Sequence, residues 1–330
     1  MKTSATERLG IELPIIQAPM GGAAGPELVA AVSEAGGLGV LPLSWASPDE
    51  ARRQIRAARV LTEKPFAINL VLARPQAERL AACLEEGARI VSFFWGDPGT
   101  FTDQVHAAGG LVMETVASAA EARAALGRGA DIVVAQGWEA GGHVKGEVAT
   151  LPLTRSVIEA GEGAPVIAAG GIADGRGLAA VLALGAAGAW IGTRFLAARE
   201  AVIHPDYRRR LLEAAETDTV HTGLFDIGWP DAPHRVLVNS TWRAWDEAGR
   251  PATGNRPGEG ERLGEYAAGV PIVRYASATP AAGSTGKIEA MSMWAGQGVG
   301  LVRREQGAGE IVREIAAEAR AAIRELGALA

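Results

Sequence analysis

The chain has 330 residues, 48% hydrophobic and 21% charged, a globular balance that excludes a disordered chain and leaves room for one large domain with an elaboration. Its net charge is −6 and no Lys/Arg cluster interleaves with stacking aromatics, so nucleic acid is excluded as an expected partner. A single cysteine, Cys83, excludes an internal disulfide and a Cys-based metal centre, and no apolar run is long enough to span a membrane; a soluble, cytoplasmic protein is expected.

From the N-terminus, short apolar runs alternate with amphipathic stretches rich in Ala, Leu, Glu and Arg. Strands are expected at 14–18, 38–41, 66–70, 90–94, 111–114, 132–136, 166–169 and 189–192. Helices are expected between them at 26–35, 48–58, 76–86, 98–108, 119–126, 153–160 and 177–184. The strand runs are continuous rather than alternating, which is the pattern of parallel strands buried on both faces. Gly follows many of the helices, as in SEAGGLG, LGRGAD and LALGAAG, where a C′ glycine turns the chain into the next strand. Eight such units predict a (β/α)8 TIM barrel, which takes ~250 residues. An open doubly wound sheet is the alternative that periodicity alone does not separate.

Residues 201–291 break the rhythm with a stretch rich in Pro, Gly, Trp and charge. They predict a smaller lid domain inserted after the eighth strand, with 1–200 and 292–330 making the barrel. Within and beside the insert, Trp229, Trp242, Trp245 and Trp294 fit core, interface or substrate wall equally. Residues 309–326 read as an amphipathic helix packed on the barrel.

The chemistry concentrates at strand ends. VIAAGGIADGRG ends the seventh predicted strand in Gly170 and Gly171, and AWIGTRF ends the eighth in Gly192 and Thr193. Loops after these two barrel strands commonly bind phosphate through backbone N–H groups, which glycine lets approach the oxygens. The Thr193 hydroxyl can add a donor. After the sixth strand, AQGWEAGGHVKGE places His143 behind Gly141 and Gly142 at the end of the barrel where chemistry sits. An imidazole there can act as a general base. Glu139 fits two roles, orienting His143 or holding the loop. Asn69 and Gln136 end the third and sixth strands, and either amide suits the polar edge of a flavin ring. Met20 can pack on a ring face. No HExxH, Walker lysine loop, GxSxG elbow or dinucleotide fingerprint is present, and no metal site is expected.

The segments PIIQAPMGG, AGGLGVL, FAINL, AQGWEAGGHVKG, APVIAAGGIADGRG, GAAGAWIGTRF and AGQGVGLV together resemble the nitronate monooxygenase family, formerly the 2-nitropropane dioxygenases. The resemblance implies a flavin mononucleotide (FMN) enzyme that oxidises alkyl nitronates with O2 to carbonyl products and nitrite, without a nicotinamide cofactor. By motif match the resemblance implies that His143 is the catalytic base for a neutral nitroalkane, or a hydrogen-bonding group for the nitronate, and that Asn69, Gln136, Gly141 and Gly142 contact flavin. Gly170, Gly171 and the run Trp190, Ile191, Gly192, Thr193 hold the phosphate end, with Met20 and Gln297 nearby. Val144 and Lys145 before Gly146 depart from the family's loop. Flavin-dependent enoyl-acyl carrier protein reductases share EAGGH and AAGGI…GTRF, so an NAD(P)H-using reductase is an alternative. A flavin-free lyase or isomerase acting on a phosphorylated substrate is another. The expected partners are a small-molecule substrate and O2, and the surface is compatible with a homodimer.

Overall fold

In a computed structural model, described for residues 1–329, the barrel is present. Its elements in chain order are α1 (Ser4–Leu9), β1 (Ile15–Gln17), α2 (Pro26–Glu34), β2 (Gly39–Pro42), α3 (Pro48–Leu61), β3 (Phe66–Val71), α4 (Ala77–Glu85), β4 (Ile90–Phe94), α5 (Phe101–Ala107), β5 (Leu111–Val116) and α6 (Ala119–Gly127). There follow β6 (Ile132–Gln136), β7 (Gly142–His143), α7 (Thr150–Ala160), β8 (Val166–Ala169), α8 (Gly175–Ala183), β9 (Gly188–Ile191) and a single turn, α9 (Thr193–Leu196). The parallel sheet runs β1-β9-β8-β6-β5-β4-β3-β2. Its two ends meet at a parallel bridge between Ile16 and Leu38. The seam is stitched by the Gln17 N–H donating to Leu38 O (2.9 Å) and by the Gln17 side-chain oxygen accepting from Val40 N–H (3.1 Å). A buried glutamine side chain thus takes the place of ladder bonds that the short β1 cannot supply. Eight parallel strands with alternating helices make the TIM barrel that the periodicity predicts.

Local signals set the helix starts. Ser47 accepts from Glu50 N–H ahead of Pro48 in α3, Ser118 does the same for Glu121 in α6, and Asp174 accepts from Gly177 N–H in α8. Between strands and helices lie aliphatic layers such as Ile55, Ile68, Leu80, Val91 and Val112. Inside the barrel, Ile16, Val40, Ala67, Met113, Val134, Ile167 and Trp190 fill the axis. Ala5 and Leu9 join that inner cluster from α1, which closes the floor of the barrel, and Thr3 donates to Ala187 O (2.6 Å) beside it. The opposite end, at the strand C-termini, is left open.

The rest of the described chain comprises α10 (Pro205–Glu213), β10 (Thr219–Thr222), β11 (His234–Leu237), α11 (Ser240–Glu247), β12 (Arg262–Glu265), β13 (Pro271–Val273), β14 (Thr285–Gly286) and α12 (Ala308–Gly327). Strands β13-β12-β14 form one small antiparallel sheet, and β10-β11-β7 form another. The second sheet joins the 201–291 segment to the loop after β6, because His143 and Gly142 pair with His234 and Arg235. The expected loop at His143 is therefore a two-residue strand whose partner lies about ninety residues away. α12 packs on α8, where Gly175 has no room for a side chain: an added Cβ would lie 2.4 Å from Ala319 N and Ile315 O.

Candidate functional site

A cavity of about 540 Å³ occupies the open end of the barrel, within the range of small-molecule and cofactor sites. Parallel strands deliver side chains to this end because every β/α loop leaves from it. Of the residues expected to act in catalysis or to hold flavin, Met20, Asn69, Gln136, Gly141, Gly142, His143, Gly170, Gly171, Trp190, Gly192 and Thr193 all line it. Two of that set do not. The Ile191 side chain is fully buried in the outer core with Leu28, Phe195 and Val312, because strand alternation turns it away from the axis when Trp190 faces inward. Gln297 sits between the lining residues Gly296 and Gly298, and its N–H donates to Glu139 O (2.9 Å).

One wall is a cradle of backbone. Gly170 and Gly171 have φ of +107° and +71°, a conformation that side chains disfavour. The amides of Gly171, Gly192 and Thr193 donate to no protein acceptor among the described residues. Thr193 Oγ1 accepts from Gly296 N–H (3.0 Å), which leaves the hydroxyl proton free to donate into the cavity. Gly141 and Gly296 pass so closely that a Cβ on Gly141 would lie 2.4 Å from Gly296 N. Uncommitted N–H groups around an open space make an anion-binding concavity with no cationic side chain. No Asp, Glu, Lys or Arg lines the cavity.

Next to the cradle stand the two amides. Gln136 donates from Nε2 to His143 O (3.1 Å), and its Oε1 is buried without a partner. Asn69 donates from Nδ2 to Ser92 O and Oγ (3.2 Å each). Both carbonyl oxygens are thereby left for a ligand that donates N–H, and an unpaired buried acceptor in a native fold asks for such a partner.

His143 lies between this barrel half and the 201–291 segment. Its Nε2 is buried and unpartnered, and burial together with the neighbouring His234 pushes its pKa from the ordinary 6.5 down to about 3. The ring is neutral at neutral pH, and no protein group pairs with its Nε2 among the described residues. Trp229 stacks on it at 3.9 Å between ring centroids, and Trp294 lies at 5.2 Å. His234, on the paired strand β11, has a settled tautomer: Nε2 accepts from Phe225 N–H (3.2 Å), so Nδ1–H donates to Ala232 O (2.9 Å). Burial holds its pKa down at about 4. His234 thus spans the loop that carries Trp229. Glu139 does not reach His143; its carboxylate accepts from Thr150 N–H and Oγ1–H (2.8 Å each), which fixes the second of its two expected roles, holding the loop. His106 and His204 lie outside the site, the first paired with Asp131 at 2.8 Å and the second capping α10.

The aromatic wall was partly open in the sequence and partly missed. Trp229 and Trp294 line the cavity, whereas Trp242 and Trp245 pack with Phe225 and Tyr275. Trp45, Phe94 and Tyr266 also line it, and Trp95 backs Trp229 at 5.3 Å. Trp45 and Trp95 come directly or closely after the C-terminal ends of β2 and β4, which is the signal that marks them as mouth residues. Thr279 ties this wall to the barrel, donating to Gly21 O (2.7 Å) and accepting from Trp294 Nε1–H (2.9 Å).

Comparison with known proteins places the chain in a family. A "(3aS,4S,5R,7aS)-5-hydroxy-7a-methyl-1-oxo-octahydro-1H-indene-4-carboxyl-CoA dehydrogenase" of Mycobacterium tuberculosis is 41% identical over 72% of the chain and 66% of that protein, so the chain spans just under two thirds of it. A nitronate monooxygenase of Paraburkholderia phytofirmans is 34% identical over 96% of the chain and 95% of its own length. Among solved structures, FabK from Thermotoga maritima superposes with a TM-score of 0.84 at 34% identity, covering all of both chains. The nitronate monooxygenase family matches residues 2–81 and 72–318. With its barrel, its cradle and its buried histidine, the chain is an oxidoreductase that belongs to the nitronate monooxygenase family.

Proposed function

We propose that the cavity binds flavin mononucleotide and that the enzyme oxidises alkyl nitronates, and nitroalkanes after loss of an α-proton, with O2 to carbonyl products and nitrite. The residues fit the cofactor. The free amides of Gly171, Gly192 and Thr193, with the Thr193 hydroxyl, would hold its phosphate. The unpartnered Gln136 Oε1 and the Asn69 amide would meet the ring's polar edge. When bound, the flavin supplies the electron acceptor and the reactivity toward O2.

The chain's own chemistry centres on His143, and its buried, unpartnered Nε2 is the observation that carries the reading. Taking up a proton in a cavity without a carboxylate is unfavourable for an imidazole by itself. Removing the α-proton of a nitroalkane creates a nitronate anion at the same moment and beside the same ring. The two charges then stabilise one another, so the base is strong only when the right acid is present. Gln136 fixes the backbone of His143 through its carbonyl, and the Trp229 and Trp294 rings keep water from its faces.

The test is anaerobic. Propionate 3-nitronate or nitroethane should bleach the visible flavin absorbance of the purified protein, and readmitting O2 should restore it with release of nitrite. The second reading, a reductase or dehydrogenase acting on carbon, is favoured by the 41% relative and by FabK, an enoyl-acyl carrier protein reductase. Rapid bleaching by NADH, with no response to either nitro compound, would overturn the monooxygenase reading in favour of the reductase.

A further inference from the structure

Besides the cradle, the cavity is lined by five large aromatic side chains, Trp45, Phe94, Trp229, Tyr266 and Trp294, set among small residues such as Ser44, Val71, Ser277 and Ala278, and His143 lines the same cavity. The rings contact one another: Trp45 and Trp229 lie 5.3 Å apart and tilted by 50°, and Trp229 lies nearly parallel to His143 at 28°. Trp95, held at φ +64°, braces Trp229 edge-on from behind. At the rim, Trp45 is 51% exposed although its neighbours are covered. Trp45 thus carries the aromatic wall from Trp229 out to the rim.

What such a wall accepts follows from its chemistry. Aromatic faces and edges pack favourably against another ring. A short alkyl group fills little of the space. A carboxylate carried by the substrate would be buried where no Lys or Arg can pair with it. We propose that the preferred substrates are nitro compounds with an uncharged aryl or fused-ring body, and that Trp229 is the residue that selects them. The proposal rests on the nitronate reading for the reacting group, whereas the preference for a ring stands on the wall alone.

Binding and turnover separate the two. In the holoenzyme, 2-phenylethanol and propionate serve as unreactive probes, read by quenching of tryptophan fluorescence and by perturbation of the visible flavin bands. The ring probe should bind at least tenfold more tightly. Trp229→Ala should abolish that margin while Trp229→Phe retains it within about threefold, which distinguishes loss of the ring from loss of the fold. In turnover, kcat/KM for 2-phenyl-1-nitroethane should exceed that for 3-nitropropionate by about a hundredfold, falling below tenfold in Trp229→Ala. Propionate binding as tightly as the ring probe, or a ratio untouched by Trp229→Ala, overturns the proposal. Ring preference in the binding arm with turnover of neither nitro compound upholds the selection by Trp229 and rejects the nitronate chemistry.

Discussion

The residue that the proposed chemistry turns on is His143, and the sign of its perturbation matters more than its size. A histidine that is neutral through the working range needs no activation, so kcat/KM for a neutral nitroalkane should not fall as the pH is lowered from 7 to 5 on account of this group. Replacing it should matter in a particular way. In His143→Ala the rate on neutral nitroethane should drop by about a hundredfold or more, with flavin retained. The preformed nitronate, which has no proton to lose, should be affected far less. Steady-state oxygen consumption with the two substrate forms measures the split, and equal losses on both would remove His143 from the role of base. The position of this residue was readable from the glycines before it at a strand end. Its neighbours were not, because Trp229, His234 and Trp294 come from sequence distances that no local pattern spans.

At the level of elements, the barrel was legible for a simple physical reason. Parallel strands buried on both faces read as unbroken apolar runs, as in β3, whose six residues are all buried. α1 was not legible, since six residues with one buried face present too short a period to register. The strands of the 201–291 segment were missed for a related reason: they are two to four residues long, and those of the β12 sheet are partly exposed. Ile191 shows the limit of reading a run without its alternation, since neighbours in one strand face opposite sides. Among the helices, the α8–α12 contact is the tightest joint described. Gly175→Ala would drive a methyl group into the backbone of α12 beside Ala319, and should destabilise the protein by about 1–3 kcal/mol. Urea unfolding followed by circular dichroism measures this; a stability unchanged within error would mean that α12 shifts at no cost.

For the molecule as a whole, two neutral imidazoles, the half-buried His143 and the fully buried His234, make stability depend on pH in a predictable direction. His143 and His234 hold pKa values of about 3 and 4 when folded, against 6.5 ordinarily. Well above pH 6.5 neither state binds the protons, and the full stability is present. As the pH falls, the unfolded chain takes up protons that the folded chain refuses, so stability declines down to the folded values. Between pH 7 and pH 5 the loss should be about 2 kcal/mol for each histidine. Denaturant titrations at the two pH values give the difference, and His143→Gln should reduce it by about 2 kcal/mol. A slope unchanged in that variant would place the acid sensitivity elsewhere.

The pairing of His143 with His234 also bears on how such a protein can be rearranged by recombination. The backbone of the proposed base is hydrogen-bonded into the segment that carries Trp229, the proposed selecting residue, so on that proposal the catalytic and selective parts are not interchangeable modules. A chimera that takes residues 201–291 from a relative but keeps its own 137–146 loop inherits a foreign partner strand for β7. It should lose turnover out of proportion to any loss of flavin. Transferring the loop together with the segment should restore it, which makes this two-residue strand the smallest boundary that evolution or design must carry across intact.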